Sequence, residues 1–166
     1  GVLGGSFAEA AEDALTGTVD PAQCQRVALR DGETGKPVFG AEDMVVDHKA
    51  GEVYISAFDR WALEDALDGS AAHLPQGAIY TVPVGTLRRR PADLLLRRLA
   101  GGVGHDFHPH GLALHRGART ARLFAINHAH ERTPSGEWRR QTGIAVFDVT
   151  EDGLEPQGFR PHPRLC

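Results

Sequence analysis

Short runs of apolar and β-branched residues, each followed within a few positions by glycine, proline or charged turn residues, restrict this chain to folds made of many short strands. "EDMVVD" and "EVYISA" are two such runs, joined by "HKAG" with Gly51 at the end of the turn. "GAIYTVPV" is a third, and Pro83 in it marks an edge or a strand end, because proline gives no N–H to a ladder. "ARLFAIN" and "TGIAVFDVT" follow, the second stopped by "EDG". The unit of strand, polar turn and strand recurs at about 43–57, 77–99, 109–127 and 143–159. An all-β class follows. Within it a sandwich and a β-propeller both fit, since propeller repeats take ~40–45 residues for each four-stranded blade.

Two stretches interrupt the rhythm. The insert at 58–75 contains "RWALEDALDGS", which reads as a helix with Trp61, Leu63 and Leu67 available to face inward and Gly69 closing it. "LRRRPADLLLRRLAGG" suits either a buried strand or a short helix after Pro91, and its neighbours favour a strand. Residues 1–23 have a different texture: "FAEAAEDAL" would set Phe7, Ala10, Ala11 and Leu15 along one side of a short N-terminal helix. No linker or low-complexity tract divides the chain, so residues 1–166 read as a single domain.

The net charge of −4 argues against a nucleic-acid partner, which would favour a basic face. Arg88, Arg89, Arg90, Arg97 and Arg98 cluster, but no aromatic platform interleaves with them, and they read as a solvated face. Cys24 and Cys166 are far apart and neither belongs to a C-x-x-C pair, which removes a cysteine-based zinc framework and leaves a disulfide open. No apolar run approaches the ~18 residues of a membrane span. The chain starts on Gly1 and stops on "HPRLC", and the expectation is that it is incomplete.

Chemistry concentrates in "GHDFHPHGLALH", with His105, His108, His110 and His115, and in "FAINHAHE", with His128 and His130. A four-histidine zinc cluster can be drawn from the two i, i+2 pairs, although Pro109 disturbs the first pair and no acidic residue stands at a third-ligand spacing. The adjacent carboxylates Glu42 and Asp43 project to opposite faces of a strand, so they would serve two different calcium ions, or else form a solvated turn. His110 opens one strand and His128 closes the next. If these strands are antiparallel neighbours, their opposite chain ends lie far apart and the two histidines meet only across adjoining blades; there they would form a proton-transferring dyad, unless they are carbonyl-bonded structural histidines.

"GAEDMVVDHKAGEVYIS", "FHPHGLALH", "LFAINHAH" and "GIAVFDVTEDG" resemble, in order and approximate spacing, motifs of the paraoxonase/arylesterase family of calcium-dependent six-bladed β-propellers, over residues 24–160. The resemblance implies a hydrolase of lactones or aryl esters, secreted or periplasmic, with two calcium ions. Glu42 then matches a ligand of the catalytic ion, while Asp43 and the carbonyl of Leu112 match ligands of a structural ion. His110 matches the general base and His128 its relay partner, and Cys24 matches a cysteine that bridges to the far end of the ring. His105, His108 and His115 remain ordinary loop residues, His108 standing where the family has Asn. A six-bladed ring needs on the order of 240 residues at ~40 per blade. The chain is therefore expected to be the N-terminal portion, two to three blades, inactive by itself because Glu42 cannot alone make the six to eight oxygen contacts calcium takes. Two alternatives stand beside this: a gluconolactonase or strictosidine-synthase-like propeller enzyme, and a non-catalytic calcium-stabilised propeller used for binding.

Overall fold

The computed structural model describes residues 24–69, 71–101 and 106–165. Strands β1 (Ala28–Asp31), β2 (Ala41–Asp47) and β3 (Glu52–Ala57) are followed by helix α1 (Arg60–Asp68). Then come β4 (Ala78–Pro83), the single turn α2 (Val84–Leu87) and β5 (Asp93–Ala100). The remaining strands are β6 (Pro109–Arg116), β7 (Ala121–Arg132), β8 (Trp138–Val149) and β9 (Leu154–Pro161). Each anticipated pair is a real hairpin: β2–β3, β4–β5, β6–β7 and β8–β9. Pro83 is the last residue of β4, where its missing N–H costs the ladder least.

These strands form two sheets, in the orders β1-β5-β4-β3-β2 and β6-β7-β8-β9. All pairings are antiparallel except that of β1, which adds itself parallel to β5. The architecture is all-β, and the described residues close neither a barrel nor a ring of blades. Edge strands β2 and β6 lie against each other where the sheets meet. Tyr54, Ile79 and Ala100 of the first sheet share a core with Leu123, Ala125, Ala145 and Phe147 of the second and with Phe107 from the loop before β6. Phe107 and Phe147 meet edge to face at 5.9 Å between ring centroids, the arrangement their quadrupoles favour. On the opposite face of the first sheet Val53, Ile55, Val82, Leu94 and Leu96 are buried, with Leu29 and Val38 packed over them. Strand β3 is thus covered on both sides, and for that reason "VYISA" carries no polar alternation.

Helix α1 is capped by Asp59, whose side chain accepts from the Ala62 N–H, and stops at Gly69. Leu63 is buried and Leu67 partly so, as expected for i, i+4 neighbours, but Trp61 is 76% exposed. Two residues turn a helix by roughly 200°, so Trp61 and Leu63 cannot share a face. The helix and the loop after it are pinned to the second sheet by Trp138, whose Nε1 donates to the Ala71 carbonyl at 3.0 Å. The N-terminal helix expected within residues 1–23 lies outside the described residues, as do His105 and Cys166. Cys24 is exposed with a free thiol.

Two contacts fix β2. Gly40 has φ 63°, and a Cβ placed there would sit 1.9 Å from the Phe58 carbonyl oxygen, while the Phe58 N–H donates to the Gly40 carbonyl. Gly40→Ala is therefore expected to destabilise the fold by about 2 kcal/mol or more, combining left-handed strain with a steric clash against backbone. Urea denaturation of wild type and variant checks this, and equal midpoints would contradict it. At the other end of β2, Asp47 is buried and forms a forked ion pair with Arg116 of β6.

Candidate functional site

The loop from Asp106 to Pro109 is braced from inside. His108 is fully buried; its Nδ1 faces the His128 carbonyl and its Nε2 the Pro75 carbonyl, both at 2.9 Å. Its backbone N–H donates to Asn127 Oδ1 at 2.7 Å, and Asn127 Nδ2 donates to the Asp106 carbonyl. Carbonyls only accept, so a ring with one N–H donates to one of these two loops, and a backbone oxygen stands against each ring nitrogen where a metal would have to approach.

This bracing sets His110 beside His128. The first residues of β6 pair with the last part of β7, Pro109 opposite Asn127, so the two histidines belong to one hairpin and their rings lie 5.4 Å apart. The expectation that they would be remote unless contributed by adjoining blades is corrected: the start of one strand and the end of its antiparallel successor are neighbours by construction. A register shift between Pro109 and Leu112 turns His110 toward β2, where a second shift lies between Ala41 and Asp43.

Glu42 meets His110 there. His110 Nε2 is 3.1 Å from Glu42 Oε2, and Arg60 Nη2 donates to both Glu42 oxygens at 3.1 Å. The carboxylate is largely covered, at 15% exposure, whereas the His110 ring is 40% exposed. On the far side, Arg140 Nη2 donates to His128 Nδ1 at 2.7 Å, and Thr142 Oγ1 lies 3.2 Å from the same nitrogen. The proton of His128 therefore sits on Nε2. Burial, and then the neighbouring Arg140 charge, push the His128 pKa down to about 4. His130 is lowered too, by burial first, and its Nδ1 is buried without a hydrogen-bond partner.

These groups line a cavity of about 360 Å3: Arg60, His110, His128, His130 and Arg140 on its polar side. Phe58, Leu63 and Leu67 form an apolar wall, and Glu64 is also part of the lining. Across Arg60 a second depression of about 630 Å3 holds Glu42 and the exposed aromatic rings of Phe39 and Trp61.

The suppressed basicity of His128 has a measurable consequence. An unfolded chain protonates this histidine near pH 6.5, whereas the folded one does so only near 4. The unfolded state thus binds more protons across that window, and stability falls as pH drops from 7 toward 4. The loss assigned to His128 is at most about 3 kcal/mol. His128→Gln should flatten this slope in urea titrations at pH 7 and pH 5, and an unchanged slope would refute the assignment.

Asp43 turns the other way from Glu42, as alternation requires. Its Oδ2 accepts the Leu112 N–H at 2.7 Å and its Oδ1 accepts the Met44 N–H at 2.8 Å. The structure brings Asp43 and Leu112 together through the N–H of Leu112. Ser56, fully buried, ties this side by donating to the carbonyl of His110 at 2.5 Å. Hard carboxylate oxygens suit calcium in kind. Among the described residues no group of three His, Cys, Asp or Glu side chains is disposed to hold a metal ion. The two histidine pairs gather at one place without forming such a group either.

Arg60, Arg140, Asn127 and Ser56 were not read from the sequence as site residues. Only the "NH" of Asn127–His128 carried a signal, as part of a motif. Among the described residues no helix is long and apolar enough to cross a membrane, which leaves β-barrel spanning untouched. No family model, curated protein or solved structure matches the chain.

Proposed function

We propose that these residues build part of a paraoxonase/arylesterase-like hydrolase of lactones or aryl esters, on a β-propeller to which β2–β5 and β6–β9 contribute two successive blades. The observation that carries the reading is the convergence of Glu42, His110 and His128 at the junction of the two sheets. Support for the architecture comes from the two four-stranded meanders, stacked with edge strands β2 and β6 side by side. The outward face of the second sheet, with Phe124, Ile126 and Ile144 only partly covered, suits a further sheet stacked in the same way.

In the proposed reaction His110 is the general base. A carboxylate only accepts, so the Nε2 facing Glu42 bears the proton and Nδ1 is the nitrogen that takes a proton from water. Glu42 stabilises the imidazolium that results, as the acid partner of a histidine does in hydrolytic triads. A relay onto His128 would load a proton on a ring whose pKa is about 4. Its part in the proposal is therefore to hold His110 in place as a neutral neighbour. The aromatic rings of Trp61 and Phe39 beside Glu42 offer a surface for an aryl leaving group. Two calcium ions belong to the proposal, one held in part by Glu42 in place of its Arg60 partner and the other by Asp43 and the Leu112 backbone, with further oxygens from outside the described residues. Calcium would supply Lewis acidity toward the substrate carbonyl.

The experiment is hydrolysis of phenyl acetate, a δ-lactone and gluconolactone by the full-length protein that carries these residues. Turnover of the first two supports the proposal, turnover of gluconolactone alone favours a gluconolactonase-like enzyme, and turnover of none favours a binding module.

A further inference from the structure

We propose that the cavity beside His128 is a carboxylate-binding pocket for aliphatic acids, with Arg140 as its anion anchor and Phe58, Leu63 and Leu67 as the seat of the chain. The inference rests on the hydrolase reading for the biological role of the acid, since hydrolysis of a lactone or ester by water yields a carboxylate and an alcohol. Binding itself requires no reaction.

The charges at this cavity are unequally satisfied. Arg60 spends its Nη2 on both oxygens of Glu42, and the adjacent Arg139 is paired with Glu131. Arg140, by contrast, has no carboxylate partner among the described residues and points its Nη2 at the neutral ring of His128. A guanidinium carries five donors in a planar fork that matches a carboxylate, so an imidazole nitrogen leaves most of that capacity unused. Beside it His128 presents a proton on Nε2, and His110 is exposed at the same wall. Among the described residues Glu64, set on the helix, is the one acidic residue lining the cavity.

The apolar half is also built. Phe58, Leu63 and Leu74 form a buried cluster with Leu67 and Trp138 packed against it. The volume of about 360 Å3 lies at the lower end of the range for small-molecule pockets, roughly 300–1,000 Å3. A charged head opposite an apolar wall selects an amphiphile, and an inorganic anion would use only half of it.

The test is titration of the 166-residue chain with sodium octanoate, read by calorimetry and by the ring resonances of His110 and His128. Saturable binding that shifts both rings is expected, with octanamide at least tenfold weaker because it carries no charge for Arg140. Arg140→Gln should weaken octanoate at least tenfold, and Arg140→Lys less, while Arg139→Gln leaves it unchanged. No saturable binding, equal binding of octanamide, or octanoate affinity indifferent to Arg140 would each overturn the proposal. So would shifts confined to the neighbouring depression of Arg139, Pro161 and His162, which Arg140 also borders. Octanoate binding in a protein that hydrolyses no ester leaves this inference standing and removes the hydrolase reading; hydrolysis without octanoate binding does the reverse.

Discussion

On the proposed hydrolase reading, replacing His110 with glutamine is expected to lower aryl-ester or lactone turnover by about 10²–10⁴-fold, the usual contribution of a positioned general base. Glutamine keeps a donor toward Glu42 and comparable bulk, so the loop braced by His108 and Asn127 should stay in place. The deficit should fall on kcat and on kcat/KM alike, because proton abstraction belongs to the transition state and not to substrate binding. His128→Gln should cost less, as it removes a neighbour of the base and not the base. A His110→Gln enzyme that keeps its rate would return His110 to the class of loop histidines bonded for structure.

The largest effect on stability is expected at Arg116. Its guanidinium Nε lies 2.8 and 2.9 Å from the two oxygens of Asp47, whose side chain is only 1% exposed. Asp47 also closes the β2–β3 turn, accepting from the Lys49 and Ala50 N–H groups at 3.1 and 3.0 Å. Arg116→Met leaves that carboxylate buried without its counter-charge, and removal of one partner of a buried pair costs about 3–5 kcal/mol. The Arg116 side chain is 30% exposed, so about 3 kcal/mol is expected, or roughly 6–12 °C in Tm for a chain of this size. The pair also fixes an acid limb. The hydrogen bond from Arg116 is the chief influence holding the Asp47 pKa below its ordinary value. A carboxylate depressed on folding contributes stability above its unfolded pKa, near 3.9, and loses it as pH falls through the lower folded value. That window lies below the one assigned to His128, so the two contributions separate in a pH series of urea titrations. Arg116→Met should shrink the lower limb, to which Asp31, also held below its ordinary value, contributes as well; an unaltered profile would show that the pair contributes little.

Much of the framework could be read from the residues. Hairpins were legible because short apolar, β-branched runs ended at recognisable turns, as at "HKAG" and "EDG", and because glycine marks the positive φ of Gly51. The opposite courses of Glu42 and Asp43 followed from strand alternation, and the structure sends one to His110 and the other to Leu112. The proposed ring architecture would have no such local signature, since a ring depends on how many sheets stack and not on any one of them. Trp61 was assigned inward by hydrophobicity, and helical rotation overrides that. The nearness of His110 and His128 needed only the correct reading of a hairpin: a strand start faces the end of its partner. Arg60 and Arg140 were beyond reach, because a single arginine on an exposed surface carries no periodic signal and acquires meaning only from what it meets.

The proposed chemistry stands or falls most directly on the calcium dependence of ester hydrolysis by the full-length protein. Phenyl acetate and a δ-lactone should be hydrolysed with calcium present, lose turnover on chelation with EDTA, and regain it when calcium is restored. A protein that turns over neither substrate with calcium in excess, or one whose turnover ignores the chelator, would contradict the assignment of Glu42 and His110 to a calcium-assisted hydrolase.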